Sequence, residues 1–186
     1  MVAVLIWVVL AVILVVAIAF IYYYNRFNLL GNRIDNSLSQ IDVQLKRRSD
    51  LIPNLIETVK GFAKHEKGIM ADVTKARKAL VGAKDISSKV KAGDALQSVL
   101  GRLFAIAENY PNLKANENFL ELQRELSATE DRVAYARQNY NDSILDYNNL
   151  CKTFPGSMFA GIYGKQVREY LQIAEGEKKV VKVDFE

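Results

Sequence analysis

Twenty consecutive residues decide most of what this chain is able to become. The run VAVLIWVVLAVILVVAIAFI, Val2 to Ile21, contains no charge and no strongly hydrogen-bonding side chain. As a helix rising about 1.5 Å per residue it is about 30 Å long, the thickness of a bilayer's hydrocarbon core. Tyr22, Tyr23 and Tyr24 follow at once, placed as an interfacial belt with rings inward and hydroxyls at the headgroups. Trp7 is read as the belt of the other side. A cleaved signal peptide is the rival reading, since Ala17-Ile18-Ala19 has the form of a cleavage site. Against it, no Lys or Arg precedes the run, and the run exceeds the usual ~7–15 apolar residues of such a signal. The segment is therefore expected to be retained as a membrane anchor. Arg26 and Arg33 lie just past the span, so the positive-inside rule places the C-terminal part in the cytoplasm, N-out and C-in.

Beyond the anchor, apolar residues recur by alternate fours and threes. Ile34, Leu38, Ile41, Leu45, Ile52, Leu55, Val59, Phe62, Ile69, Val73, Ala76 and Leu80 form one heptad seam. A second helix is expected from Lys89 to Tyr110 on Leu96, Val99, Leu103, Ile106 and Tyr110, stopped by Pro111. A third is expected from Asn116 to Thr153. Its stripe runs from Phe119 through Leu126, Val133 and Tyr140 to Ile144, Tyr147, Cys151 and Phe154. A shorter amphipathic piece covers Lys165 to Ala174. The expected fold is all-α: a transmembrane helix, then an antiparallel, up-and-down bundle of three to four long helices. The boundaries are an anchor over 1–24, the bundle over 25–154, a loop and short helix over 155–176, and an extended tail over 177–186.

Two segments sit outside that scheme. PGSMFAGIYG, Pro155 to Gly164, is apolar, glycine-rich and aperiodic, and reads as a loop folded on the bundle end or as a contact surface through Met158 and Phe159. The tail VVKVDFE alternates, with Val181, Val183 and Phe185 on one side. It is either frayed or a strand added to a neighbouring subunit, which makes these residues candidate assembly contacts.

The seam is disturbed once, in LKRRSDLIPNLIETV. Counting on from Leu45 places Arg48 at a core-facing position, where a guanidinium needs a carboxylate. Glu130, Asp131, Asn139, Asn141 and Asp142 on the third helix are candidate partners. Tyr140 and Tyr147 add hydroxyls. Pro53 crowds the Ser49 carbonyl and removes a donor, and the unbroken register argues for a kink in one helix. Two readings of Arg47, Arg48, Asp50, Pro53 and Asn54 with Tyr140, Asn141 and Tyr147 stay open. In one they form a polar cluster that sets helix register. In the other they form a pocket for an anionic ligand or a partner segment. The first is preferred because polar seam residues commonly specify pairing.

The motifs RRSDLIPNLIETVKGFAKHE, AENYPNLKANENFLELQRELSATEDRVAYARQNYND, YNNL and FPGSMFA, in this order, resemble those of the LemA family, as does YNRFNLLGNRIDNSLSQIDVQLKRR behind the anchor. The resemblance covers essentially the whole chain after the anchor. It implies a membrane-anchored helical bundle, in a family some of whose members are associated with bacterial membrane systems, including magnetosome membranes. No catalytic residues come with it.

Chemistry is sparse. One cysteine, Cys151, and one histidine, His65, make no disulfide framework and a poor zinc site. The formal net charge of +4 is spread among carboxylates, so nucleic acid is not an expected partner. No enzyme activity and no cofactor are expected. The bilayer and further copies of this chain are the expected partners, with another membrane protein as the alternative. The leading expectation is a self-associating scaffold at the membrane, and the second is a binding or signalling module.

Overall fold

The computed structural model describes residues 1–171. These form α1 (Val2–Phe62), α2 (Lys67–Gly82), α3 (Ile86–Ala107), α4 (Pro111–Lys114), α5 (Glu117–Lys152) and α6 (Gly156–Ile162). Among the described residues there is no strand, and Val181, Val183 and Phe185 lie outside them. The chain divides into two compact units, one built on Met1–Ser37 with Gln138–Tyr170 and the other on Leu38–Arg137.

The Leu38–Arg137 unit is the four-helix bundle of α1, α2, α3 and α5. Ile41, Leu45, Ile52, Leu55 and Val59 of α1 are buried, as are Ile69, Val73 and Leu80 of α2. Helix α1 ends at Phe62 and the chain turns before Lys67, so the long first seam belongs to two helices. Pairings across the bundle set the helix directions. Asp72 meets Arg102 and Glu66 meets Tyr110, so α2 and α3 are antiparallel. Asp94 with Arg137 and Phe104 with Phe119 make α3 and α5 antiparallel. Helix α1 runs against α5 through Arg48 and Glu130. The stripe of α3 differs from the expected one. Leu96, Leu100, Leu103 and Ala107 are buried, while Val99 and Ile106 are only half-buried. The face is turned by about one position because Gly93, also buried, brings α3 close against Leu45. Asp85 caps the start of this helix, accepting from the Ser88 amide at 2.9 Å and the Ser88 hydroxyl at 2.6 Å. Those bonds favour the carboxylate and lower its pKa.

The other unit joins the apolar end of α1 to the end of α5, to α6 and to the segment after it. Phe27, Leu30 and Ile34 of α1 pack with Ile144 and Tyr147 of α5 and with Phe159 and Ala160 of α6. Between Met1 and Tyr22 every residue is exposed except Ala19, which is half-buried. Two expectations are corrected here. Pro155 to Gly164 is not a plain loop but carries α6, and Phe159 is core, not a contact surface. Residues 165–171 are not helical. The Asn148 side chain takes the backbone of Arg168 from both sides, donating to its carbonyl at 2.8 Å and accepting from its amide at 2.8 Å. Those two groups are thereby withdrawn from any helix.

Candidate functional site

The disturbed stretch of α1 resolves into two polar arrangements within the bundle unit. Arg48 is 1% exposed and sits at the seam position expected of it. Its terminal nitrogen Nη2 donates to Glu130 Oε2, a partner within reach of water at 36% exposure. Its Nε donates to Thr129 Oγ1 at 3.4 Å. The Thr129 hydroxyl spends its own proton on the Leu126 carbonyl at 2.7 Å, which leaves its lone pairs for the arginine. Beside it, Arg47 donates to Glu125 at 2.8 Å in the open.

Pro53 explains the second arrangement. A proline inside a helix cannot donate to the carbonyl four residues earlier, here that of Ser49. That carbonyl is not left bare, because Arg77 of α2 donates to it through Nε at 2.9 Å. The backbone ladder of α1 lacks one bond where a neighbouring helix supplies the missing donor, and the helix itself continues to Phe62. Removing a partner from a buried carbonyl costs about 1–3 kcal/mol. Arg77→Met is therefore expected to cost about 2 kcal/mol in the native background. In a Pro53→Ala background, where the restored amide serves Ser49, the cost is expected to fall by about 1 kcal/mol. A double-mutant cycle by denaturant unfolding measures this, and strict additivity would break the link between the proline and the arginine.

Above this bond lies a pocket of about 370 Å³ bordered by Asp42, Lys46, Ser49, Asp50, Arg77 and Lys89. Its cations already have acceptors. Lys89 bonds both oxygens of Asp42 at 2.9 and 2.8 Å, Lys46 bonds Asp50 at 3.1 Å, and Arg77 bonds the Ser49 carbonyl. The Ser49 hydroxyl is buried with no protein partner, in a pocket roomy enough for water to serve it.

The expected single cluster is not formed. Asp50, Pro53 and Asn54 are exposed, and Arg48 turns to Thr129 and Glu130. Tyr140, Asn141 and Tyr147 belong to the other unit. There Tyr147 meets Phe27 edge-on at 5.9 Å, and the Arg168 guanidinium lies over the Tyr147 ring, 5.2 Å from its centroid. Arg168 also approaches Asp35 at 3.7 Å. Burial pushes the hydroxyls of Tyr140 and Tyr147 and the Cys151 thiol above their ordinary pKa values. At neutral pH that thiol is therefore protonated. The anchor residues Val2, Trp7, Ile21, Tyr22 and Tyr24 are exposed, whereas Tyr23 is half-buried against Phe159 at 4.5 Å between ring centroids. Met158 is exposed. The residues that sequence reasoning missed are Thr129, Arg77 and Asn148. Thr129 had a signal, since its spacing puts it on the apolar stripe of the third helix with Leu126 and Val133, and Asn148 stands inside the motif YNNL. Among the described residues, no group of three or more His, Cys, Asp or Glu is arranged to hold a metal ion.

Comparison with known proteins bears on most of this chain. The model of the LemA family matches residues 37–185. The chain is 30% identical over 146 residues to Protein LemA of Metamycoplasma hominis, covering 76% of this chain and 67% of that one. It is 26% identical over 185 residues to magnetosome protein MamQ of Magnetospirillum gryphiswaldense, covering 85% of this chain and 68% of the relative. With magnetosome protein MamQ 2 of Paramagnetospirillum magneticum it shares 25% identity over 175 residues, 80% of this chain and 64% of the relative. The matched regions thus span about two thirds of each relative's length.

Proposed function

Because this chain belongs to the LemA family, we propose that it is a single-pass, membrane-anchored scaffold whose copies associate at a bacterial membrane. The observation that carries this reading is the first third of α1. Its apolar residues form a bare helix of bilayer length at the start of the 61-residue α1. A surface of that kind is stable only in hydrocarbon. Arg26 and Arg33 follow the span and favour a cytoplasmic bundle. Confinement in a plane raises the effective concentration of the bundles. Similarity to proteins named for the magnetosome supports a place in a membrane-bound assembly. The pocket beside Arg77 favours this reading over an anion receptor, because its cations are paired from within.

Particle mass tests it. Full-length protein extracted gently from membranes is expected to run as a uniform particle of several chains. The same protein without residues 177–186 is expected to run smaller, since the alternating tail is the proposed connector. Monomers in both preparations would sink the scaffold.

A further inference from the structure

We propose that α6 is a second membrane-contacting element, an apolar wedge that enters the interfacial layer of the same bilayer the N-terminal helix crosses. The inference rests on the reading of Val2–Ile21 as bilayer-spanning, and it adds a lipid-binding role for a segment remote in sequence.

The position of α6 follows from what it touches. Phe159 meets Phe20 edge-on at 5.1 Å and stacks on Tyr23 at 4.5 Å. Tyr163 donates its hydroxyl to the Phe20 carbonyl at 2.8 Å and meets Tyr24 and Phe27 edge-on. Phe20 is the penultimate residue of the apolar run, and Tyr23 and Tyr24 are its belt. The seven steps from Phe20 to Phe27 cover about 10 Å of helix. Helix α6 is therefore pinned from the last turn of the apolar run through the headgroup level, and no deeper.

Its free face is apolar. Met158 and Ile162, one turn apart, are each 57% exposed, and Phe154 just before the helix is 80% exposed. An isolated exposed hydrophobe needs no explanation. Here three fall within nine residues of sequence, in a segment packed on the end of a surface suited to lipid. The eleven residues from Phe154 to Gly164 carry no charge, while Lys152 and Lys165 bracket them. An apolar face bounded by cations is the pattern of a segment lying in the interface, with its lysines on lipid phosphates. The occupant we commit to is the acyl and glycerol region of the lipid leaflet next to Tyr22–Tyr24.

The test uses the full chain in vesicles of phosphatidylcholine with phosphatidylglycerol, some lipids brominated at a shallow acyl position. The chain has a single tryptophan, Trp7, inside the run, and its quenching by bromolipid, shallow or deep, reports the anchor independently. For α6 the variant is Ile162→Trp in a Trp7→Phe background, with Tyr135→Trp in the same background as an aqueous reference. The expected result is blue-shifted emission from the Ile162→Trp indole, loss of signal with shallow bromolipid, and protection from iodide. The reference indole should show the opposite. If Trp7 is quenched by lipid but the Ile162→Trp indole is open to iodide and indifferent to bromine, the wedge is overturned and the anchor stands. Protection from both quenchers also overturns it, since a second protein surface then covers the face. Failure of both deep and shallow bromolipid to quench Trp7 overturns the anchor and the wedge together.

Discussion

Glu130→Ala is expected to destabilise the bundle by about 3 kcal/mol, whereas Arg48→Met is expected to cost less than about 1 kcal/mol. The asymmetry follows from where each partner sits. Arg48 is 1% exposed on the seam, walled by helices α1 and α5. Without Glu130 its charge keeps only the long bond to Thr129 and the water that enters where the carboxylate stood. Breaking a buried pair from the exposed side leaves a buried charge, which costs about 3–5 kcal/mol. The lower end applies because Glu130 is 36% exposed and water can follow into the space it leaves. Methionine at position 48 removes the charge and fills much of the same volume with a flexible apolar chain. Glu130 then remains at the rim, where water solvates it. Equilibrium denaturation of both full-length variants measures the difference. Equal costs would mean that the pair, not the isolated charge, carries the energy. A methionine variant that loses its single folded state would show that Arg48 specifies helix register, the role preferred from the sequence.

What could be read from the sequence follows the range over which each feature is determined. The face of α1 was legible because heptad spacing is local, and Arg48 fell on that face by counting alone. Its partner was narrowed to a set of polar residues on the third helix that contained Glu130. The burial of Leu100 and Ala107 in place of Val99 and Ile106 was not legible. It depends on the closeness of Gly93 to Leu45, a contact between helices far apart in sequence. Arg77 was invisible for the same reason. Nothing near Pro53 says which helix will supply the donor that proline removes. Asn148 overrode a local helical pattern at residues 165–171 by taking the Arg168 backbone from outside. The aperiodic glycines hid α6, because a helix of two turns lies below the length at which periodicity speaks.

That short helix depends on one missing methyl group, so Gly156→Ala is expected to release it. A Cβ at Gly156 would stand 2.3 Å from the Leu150 carbonyl oxygen, with the Leu150 Cδ1 at 3.1 Å and the carbonyl carbon at 3.2 Å. The obstacle is backbone at the end of α5, and no rotamer change relieves it. Overpacking of this kind costs about 1–3 kcal/mol, and an unyielding obstacle places it near the top, about 3 kcal/mol. When α6 lifts, Phe159 leaves its stack on Tyr23 and the bond from Tyr163 to Phe20 breaks. Amide exchange reads this directly. The Tyr163 amide donates to the Phe159 carbonyl and the Lys165 amide to the Ala160 carbonyl, each at 2.9 Å, and both should exchange about 100-fold faster. Two other glycines separate a steric cause from a general intolerance. At Gly93 the nearest atom to a new Cβ is the terminal Cδ2 of Leu45 at 2.8 Å, which can swing aside, so Gly93→Ala should cost less than about 1 kcal/mol. At Gly161 nothing lies within 4 Å, and alanine there should steady α6 by up to about 1 kcal/mol through helix propensity. If Gly156→Ala leaves both amides as protected as before, the Leu150 carbonyl yields freely and the seat of α6 on the aromatic end of α1 is not set by this contact.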